Sequence, residues 1–108
     1  IDGGSTNPLP FDLLDGAADI VIAVDITPMA ERRAKSVPAP FESLIMTLHI
    51  MSNAIVTEKL KSSAPDILLR PKVHTFAALD FLRVTPILRA AEPIKDELKR
   101  KLGELLEA

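Results

Sequence analysis

Apolar and polar positions alternate along this chain in blocks of different period. The run Ala18-Asp19-Ile20-Val21-Ile22-Ala23-Val24-Asp25-Ile26 is apolar and rich in β-branched residues, which predicts a buried strand over about residues 19–26. Thr27-Pro28 closes it, because proline cannot continue a central ladder. Between residues 41 and 62, Leu44, Ile45, Leu48, Met51, Ile55 and Leu60 fall mainly at helical intervals, while Met46, Ile50, Ala54 and Val56 widen the stripe. That pattern predicts a long helix buried on more than one side, with Met46 and Met51 as core filling. It lacks the strongly charged opposite face of a membrane-surface helix. Ser62-Ser63-Ala64-Pro65 breaks the helix, and residues 66–73, carrying Ile67, Leu68, Leu69 and Val73, read as a second strand. A strand, a long helix and a strand make a crossover unit, so the strands should be parallel and the connection right-handed.

Shorter elements flank this unit. Pro10-Phe11-Asp12-Leu13-Leu14-Asp15-Gly16 suits about two helical turns, with an early proline and a glycine stop. Residues 28–40 are loop-like, with Pro28, Pro38 and Pro40 around Glu31-Arg32-Arg33-Ala34-Lys35, and mobility is expected there. In the tail, Asp80-Phe81-Leu82 suits one turn, and Thr85-Pro86 reads as a cap followed by a first-turn proline. The helix that follows should run towards Leu106 and kink or restart after Glu92, because Pro93 lies inside it. Leu98, Leu102, Leu105 and Leu106 then mark one face, with Lys95, Lys99, Arg100 and Lys101 towards solvent.

Composition narrows the picture. A length of 108 residues suits one domain or part of one, and a hydrophobic fraction of 47% belongs to packed globular proteins. Lys+Arg 13 against Asp+Glu 15 gives a net charge of -2, which supplies no electrostatic case for nucleic acid. The absence of Cys excludes disulfide frameworks, zinc ribbons and thiol nucleophiles, and leaves the compartment open. No apolar run is long enough for a spanning helix. A soluble, cytoplasmic chain is expected, and the start at Ile1 reads as that of a piece of something longer.

The candidate chemistry lies in the first residues. Asp2-Gly3-Gly4-Ser5-Thr6-Asn7-Pro8-Leu9-Pro10 is too rich in turn formers for regular structure, and such a loop can expose the Asp2 carboxylate near the head of the sheet. Read in isolation, Asp-Gly is an ordinary turn. Asp25 at the end of the first strand is expected to cap the following loop or to pair with Arg32 or Arg33. Asp2, Asp12, Asp15 and Asp25 do not match the alternating spacing of a metal-binding loop. His49 reads as a packed or partly exposed helix residue, and with His74 it makes neither a zinc pair nor a triad.

In combination, Asp2-Gly3-Gly4, Asn7, Pro8 or Pro10, and the strand from Asp19 to Asp25 resemble the aspartate end of the patatin-like phospholipase family. Ile67-Leu68-Leu69-Arg70-Pro71 is similar to that family's strand ending in Arg-Pro. The resemblance is strong to about residue 27, looser afterwards, and covers most of the chain. It implies an α/β fold: residues 1–108 would be the C-terminal portion of a single three-layer α/β/α catalytic domain, with a parallel β-α-β crossover and closing helices. It also implies a serine–aspartate dyad acyl hydrolase, a phospholipase, lysophospholipase or esterase in which Asp2 is the general base. Gly3 and Gly4 would keep the backbone path beside that carboxylate tight and open. None of Ser5, Ser36, Ser43, Ser52, Ser62 and Ser63 sits in a Gly-x-Ser-x-Gly elbow, and no glycine-rich oxyanion segment is present. The nucleophile would therefore come from the upstream part of the same domain, and this piece alone should be inactive. The implied substrate is a lipid or ester, with peripheral membrane contact and no metal or organic cofactor. The competing expectation is a non-catalytic α/β scaffold or interaction fragment.

Overall fold

The computed structural model describes residues 3–27, 39–73 and 82–108. It is a mixed helix and strand structure around a two-stranded parallel sheet. A 3-10 turn over Gly3–Ser5 and a second over Phe11–Leu14 lead into strand β1, Ile22–Val24. Helix α1, Pro40–Ser62, is followed by strand β2, Ile67–Leu69, and then by α2, Val84–Ala91, and α3, Pro93–Glu107.

The crossover unit is the one the apolar runs predict. Strands β1 and β2 pair in parallel with Ile22 opposite Ile67, Ala23 opposite Leu68 and Val24 opposite Leu69. Beyond the ladder, the Ile67 amide donates to the Val21 carbonyl at 3.2 Å and the Asp25 amide to the Leu69 carbonyl at 2.8 Å. The strands are shorter than the runs that signal them. At the leading edge the Val21 amide donates to the Asp66 carboxylate at 2.7 Å, so a side chain takes the place of the next backbone partner. Ala23 is buried in a cluster with Phe11 and Val21, against which Leu9, Leu60 and Leu68 pack. Ile22 and Val24 point the other way and stay exposed, so the described residues cover one face of β1 rather than both.

Proline and a carboxylate set the start of α1. Pro40 occupies the first turn, where its missing amide costs nothing, and the Ala39 amide donates to the Glu42 carboxylate at 3.3 Å. At the other end the Ser63 amide donates to the Lys59 carbonyl at 3.0 Å, and Pro65 prevents continuation. The expected burial of this helix on several sides is overturned. Only Val56 is fully buried, while Phe41, Leu44, Met46, Leu48, Ile50, Met51 and Ile55 are exposed. The reason is geometric: the sheet and the leading segment reach one side of α1, so Met46 and Met51 on its outer side fill no core.

The tail restarts after Glu92, with Pro93 in the first turn of α3. Helix α2 begins two residues earlier than a Thr85 cap implies; Arg83 stands at the N-cap position without a side-chain cap bond, and Thr85 and Pro86 both lie in the first turn. Helix α3 packs on β2. Lys101 does not simply face solvent: its Nζ donates to the Leu68 carbonyl at 3.2 Å and pairs with Glu97 at 2.7 Å. Leu98 and Leu102 are half-buried, whereas Leu105 and Leu106 are exposed. The expectations for the loop over 28–38, for Arg32 and Arg33, for His74 and for the turn at Asp80-Phe81 lie outside the described residues. Among the described residues no helix is long and apolar enough to cross a membrane.

Candidate functional site

The leading segment is held along one side of α1. Its first turn closes on the Gly3 carbonyl, which accepts from the Thr6 amide at 3.1 Å and the Asn7 amide at 2.9 Å. Ser52 Oγ donates to the Gly4 carbonyl at 3.2 Å. Two helical turns further on, Lys59 Nζ donates to the Pro8 carbonyl at 3.1 Å, the Leu9 carbonyl at 3.2 Å and Asp12 Oδ1 at 3.0 Å, and also to Asn7 Oδ1. The same ammonium stands 5.6 Å from the centre of the Phe11 ring, within reach of its negative face. One turn later Ser63 Oγ donates to Asp15 Oδ2 at 3.2 Å. The segment thus runs in the same direction as the helix, over about 16 Å of its axis.

Lys59 is suited to this task by chemistry. An ammonium is a compact charge with three donors on a flexible stem, and its side chain is only 13% exposed. It faces carbonyls on both sides of Leu9, whose φ of +52° is left-handed. That conformation costs a non-glycine residue roughly 1–2 kcal/mol, and it persists where surrounding contacts over-determine it. The hydrogen bond from Lys59 holds the Asp12 carboxyl below its usual range, helped by a backbone amide and Asn7 and opposed by partial burial.

Of the residues singled out in the sequence, Asp2 lies outside the described residues. Gly3 and Gly4 lie in the first turn, and a Cβ built on Gly3 would meet nothing within 4 Å. Packing among the described residues does not demand glycine at that position. Asn7 and Pro8 are brought to Lys59. Asp25 is 6% exposed and fulfils the loop-capping expectation, accepting from the Thr27 amide at 3.0 Å. Among the described residues its ion-pair partner is Arg70 at 3.2 Å, so the Asp that ends one strand and the Arg that follows the other meet at the same end of the sheet. Asp12, Asp15 and Asp25 go to three different partners, Lys59, Ser63 and Arg70. His49 is half-buried on α1.

Ser52 and Lys59 were not marked by sequence reasoning. The available signal is spacing: Ser52, Val56, Lys59 and Ser63 recur at four, three and four residues, which places them on one side of the helix. Away from this site, a shallow groove of about 450 Å³ lies between the start of β2 and α3, lined by Pro65, Asp66, Leu68, Lys101 and Leu105. Its polar groups are already engaged, Asp66 with the Val21 amide and Lys101 with Leu68 and Glu97.

No protein-family model matches this chain, and no solved structure matches it.

Proposed function

We propose that this chain is the C-terminal, aspartate-bearing part of a patatin-like serine acyl hydrolase, a three-layer α/β/α domain acting on lipid or simple acyl esters. Asp2 is the general base. Its carboxylate takes the proton from a serine supplied by the upstream part of the same domain, and the serine oxygen attacks the ester carbonyl. The alcohol leaves with a proton, an acyl-enzyme remains, and water then releases the fatty acid and regenerates the serine. The observation that carries the reading is the junction of the motif's parts. The Gly3-Gly4 turn and Asn7-Pro8 are fastened to α1, the helix that connects two parallel strands, and the strand-end residues Asp25 and Arg70 pair with each other.

A second reading, a non-catalytic scaffold or interaction fragment, is favoured by the exposed apolar side chains of α1, among them Phe41 at 65% and Met51 at 56% exposure. A fluorophosphonate probe separates the two when applied to the native polypeptide from its source. The hydrolase reading expects a labelled serine and a fall of about 10²–10⁴-fold in ester hydrolysis for Asp2→Asn. An unlabelled polypeptide, or an Asp2→Asn variant with wild-type turnover, overturns it.

A further inference from the structure

We infer that β1 is the interface for a second copy of this chain: the open edges of two β1 strands pair antiparallel and join the two sheets into one. The inference is independent of the hydrolase reading and gives the interaction reading a surface and an occupant. The parallel register decides which backbone groups are free. Val21, Ala23 and Asp25 direct their backbone bonds to β2. Ile22 and Val24 therefore turn their amides and carbonyls to the other edge, where they have no partner among the described residues. The outer edge of β2 is different. Leu68 is its outward residue, and the Leu68 carbonyl accepts from Lys101 of α3, whose cationic side chain guards that edge. Strand β1 has no such guard. Residues 20–26 hold no Lys, Arg or Pro, and the Asp25 carboxylate is engaged by Arg70 and the Thr27 amide.

The edge is complementary to itself. A twofold axis beside Ala23 sets Ile22 opposite Val24 of the partner subunit and Val24 opposite Ile22 of the partner subunit, and each pair exchanges both N–H···O=C bonds. Their side chains share the face of the sheet that the described residues leave uncovered on β1, where Ile22 is 39% and Val24 49% exposed. Cross-strand pairs of β-branched residues stabilise such a contact. The same register places Ile20 opposite Ile26 of the partner subunit and Asp19 opposite Thr27 of the partner subunit, so no two like charges face each other. Because Lys101 closes the other edge, each chain offers one open edge and assembly stops at two copies. A contact of one strand on each side is at the small end of protein interfaces, so the dimer should dissociate on dilution.

The test combines sedimentation equilibrium with amide hydrogen exchange on the 108-residue chain over a range of concentrations. With rising concentration the mass should climb from 11.7 kDa to twice that value, and the Ile22 and Val24 amides should slow several-fold in step with it. The Ala23 and Asp25 amides, paired with β2, should be protected throughout. Val24→Pro removes an outward donor and leaves the bonds to β2 in place, so this variant should stay monomeric with Ala23 and Asp25 still protected. If Val24→Pro does not fold, Ile22→Lys decides: a folded monomer upholds the inference, and a dimer of wild-type affinity overturns it. A wild-type chain that is monomeric at every concentration overturns it and leaves the edge to a strand of another polypeptide. A dimer in which the Ile22 and Val24 amides stay fast, or in which Val24→Pro associates like wild type, places the contact on another surface and also overturns it. Assemblies larger than two copies contradict the closed edge at Lys101.

Discussion

The two sides of α1 meet different surroundings. The side towards the leading segment carries Ser52, Val56 and Lys59, with Ser63 at its end, and only Val56 of these is apolar. The opposite side carries Ile50 and Ala54, with Met46 and Met51 on its flanks, all exposed. The difference follows from what each side meets. A segment built from turns presents carbonyls that no ladder satisfies, and buried carbonyls need donors. Ser52 and Lys59 provide them. The inner side is therefore polar because its partner is irregular backbone, and it is specific because each donor has a named acceptor.

Placing the same charge on either side gives the largest contrast. Val56→Asp buries an unpaired carboxylate and is expected to destabilise the chain by about 3–5 kcal/mol, whereas Ile50→Asp on the outer side should stay within about 0.5 kcal/mol. Urea unfolding of the two variants reads this directly, and equal midpoints would abolish the distinction between the sides. Lys59→Met comes next. It leaves the Pro8 and Leu9 carbonyls without their donor, an expected loss of about 1–3 kcal/mol, and a midpoint unchanged from wild type would contradict the role given to the ammonium.

The smallest expected effect is a pH dependence. The Asp12 carboxyl titrates below its ordinary value in the folded chain because Lys59 bonds to it. A depressed carboxylate contributes stability that is fully present above the unfolded value, about pH 3.9, and that is lost as pH falls through the folded value. Asp12→Asn should therefore flatten the acid limb of the stability profile below about pH 4. An acid limb identical to wild type would show that the pair is not coupled to folding.

Much of the scaffold was legible in the sequence. Two apolar runs separated by a long helical pattern are enough to require a parallel crossover, and Pro40, Pro65 and Pro93 mark helix boundaries whatever the tertiary context. The sides of α1 were not legible. Apolar residues surround the whole helix, so periodicity alone could not show that the inner side is the one with the serines and the lysine. The Lys59 site was hidden for a related reason: half of its acceptors are backbone carbonyls about fifty residues away in sequence, and carbonyls leave no trace in residue type. The Asp25–Arg70 pair was half legible. The Asp at the strand end was marked as a capping and pairing residue, but its described partner follows the neighbouring strand, a choice that register decides.

The central claim is that α1 holds the leading segment through Lys59, and amide hydrogen exchange on wild type and Lys59→Met tests it most directly. The Thr6 and Asn7 amides, which close the turn on Gly3, should exchange slowly in the wild type and much faster in the variant, while amides of α3 keep their rates. Unchanged protection at Thr6 and Asn7 in a folded Lys59→Met chain would contradict the account.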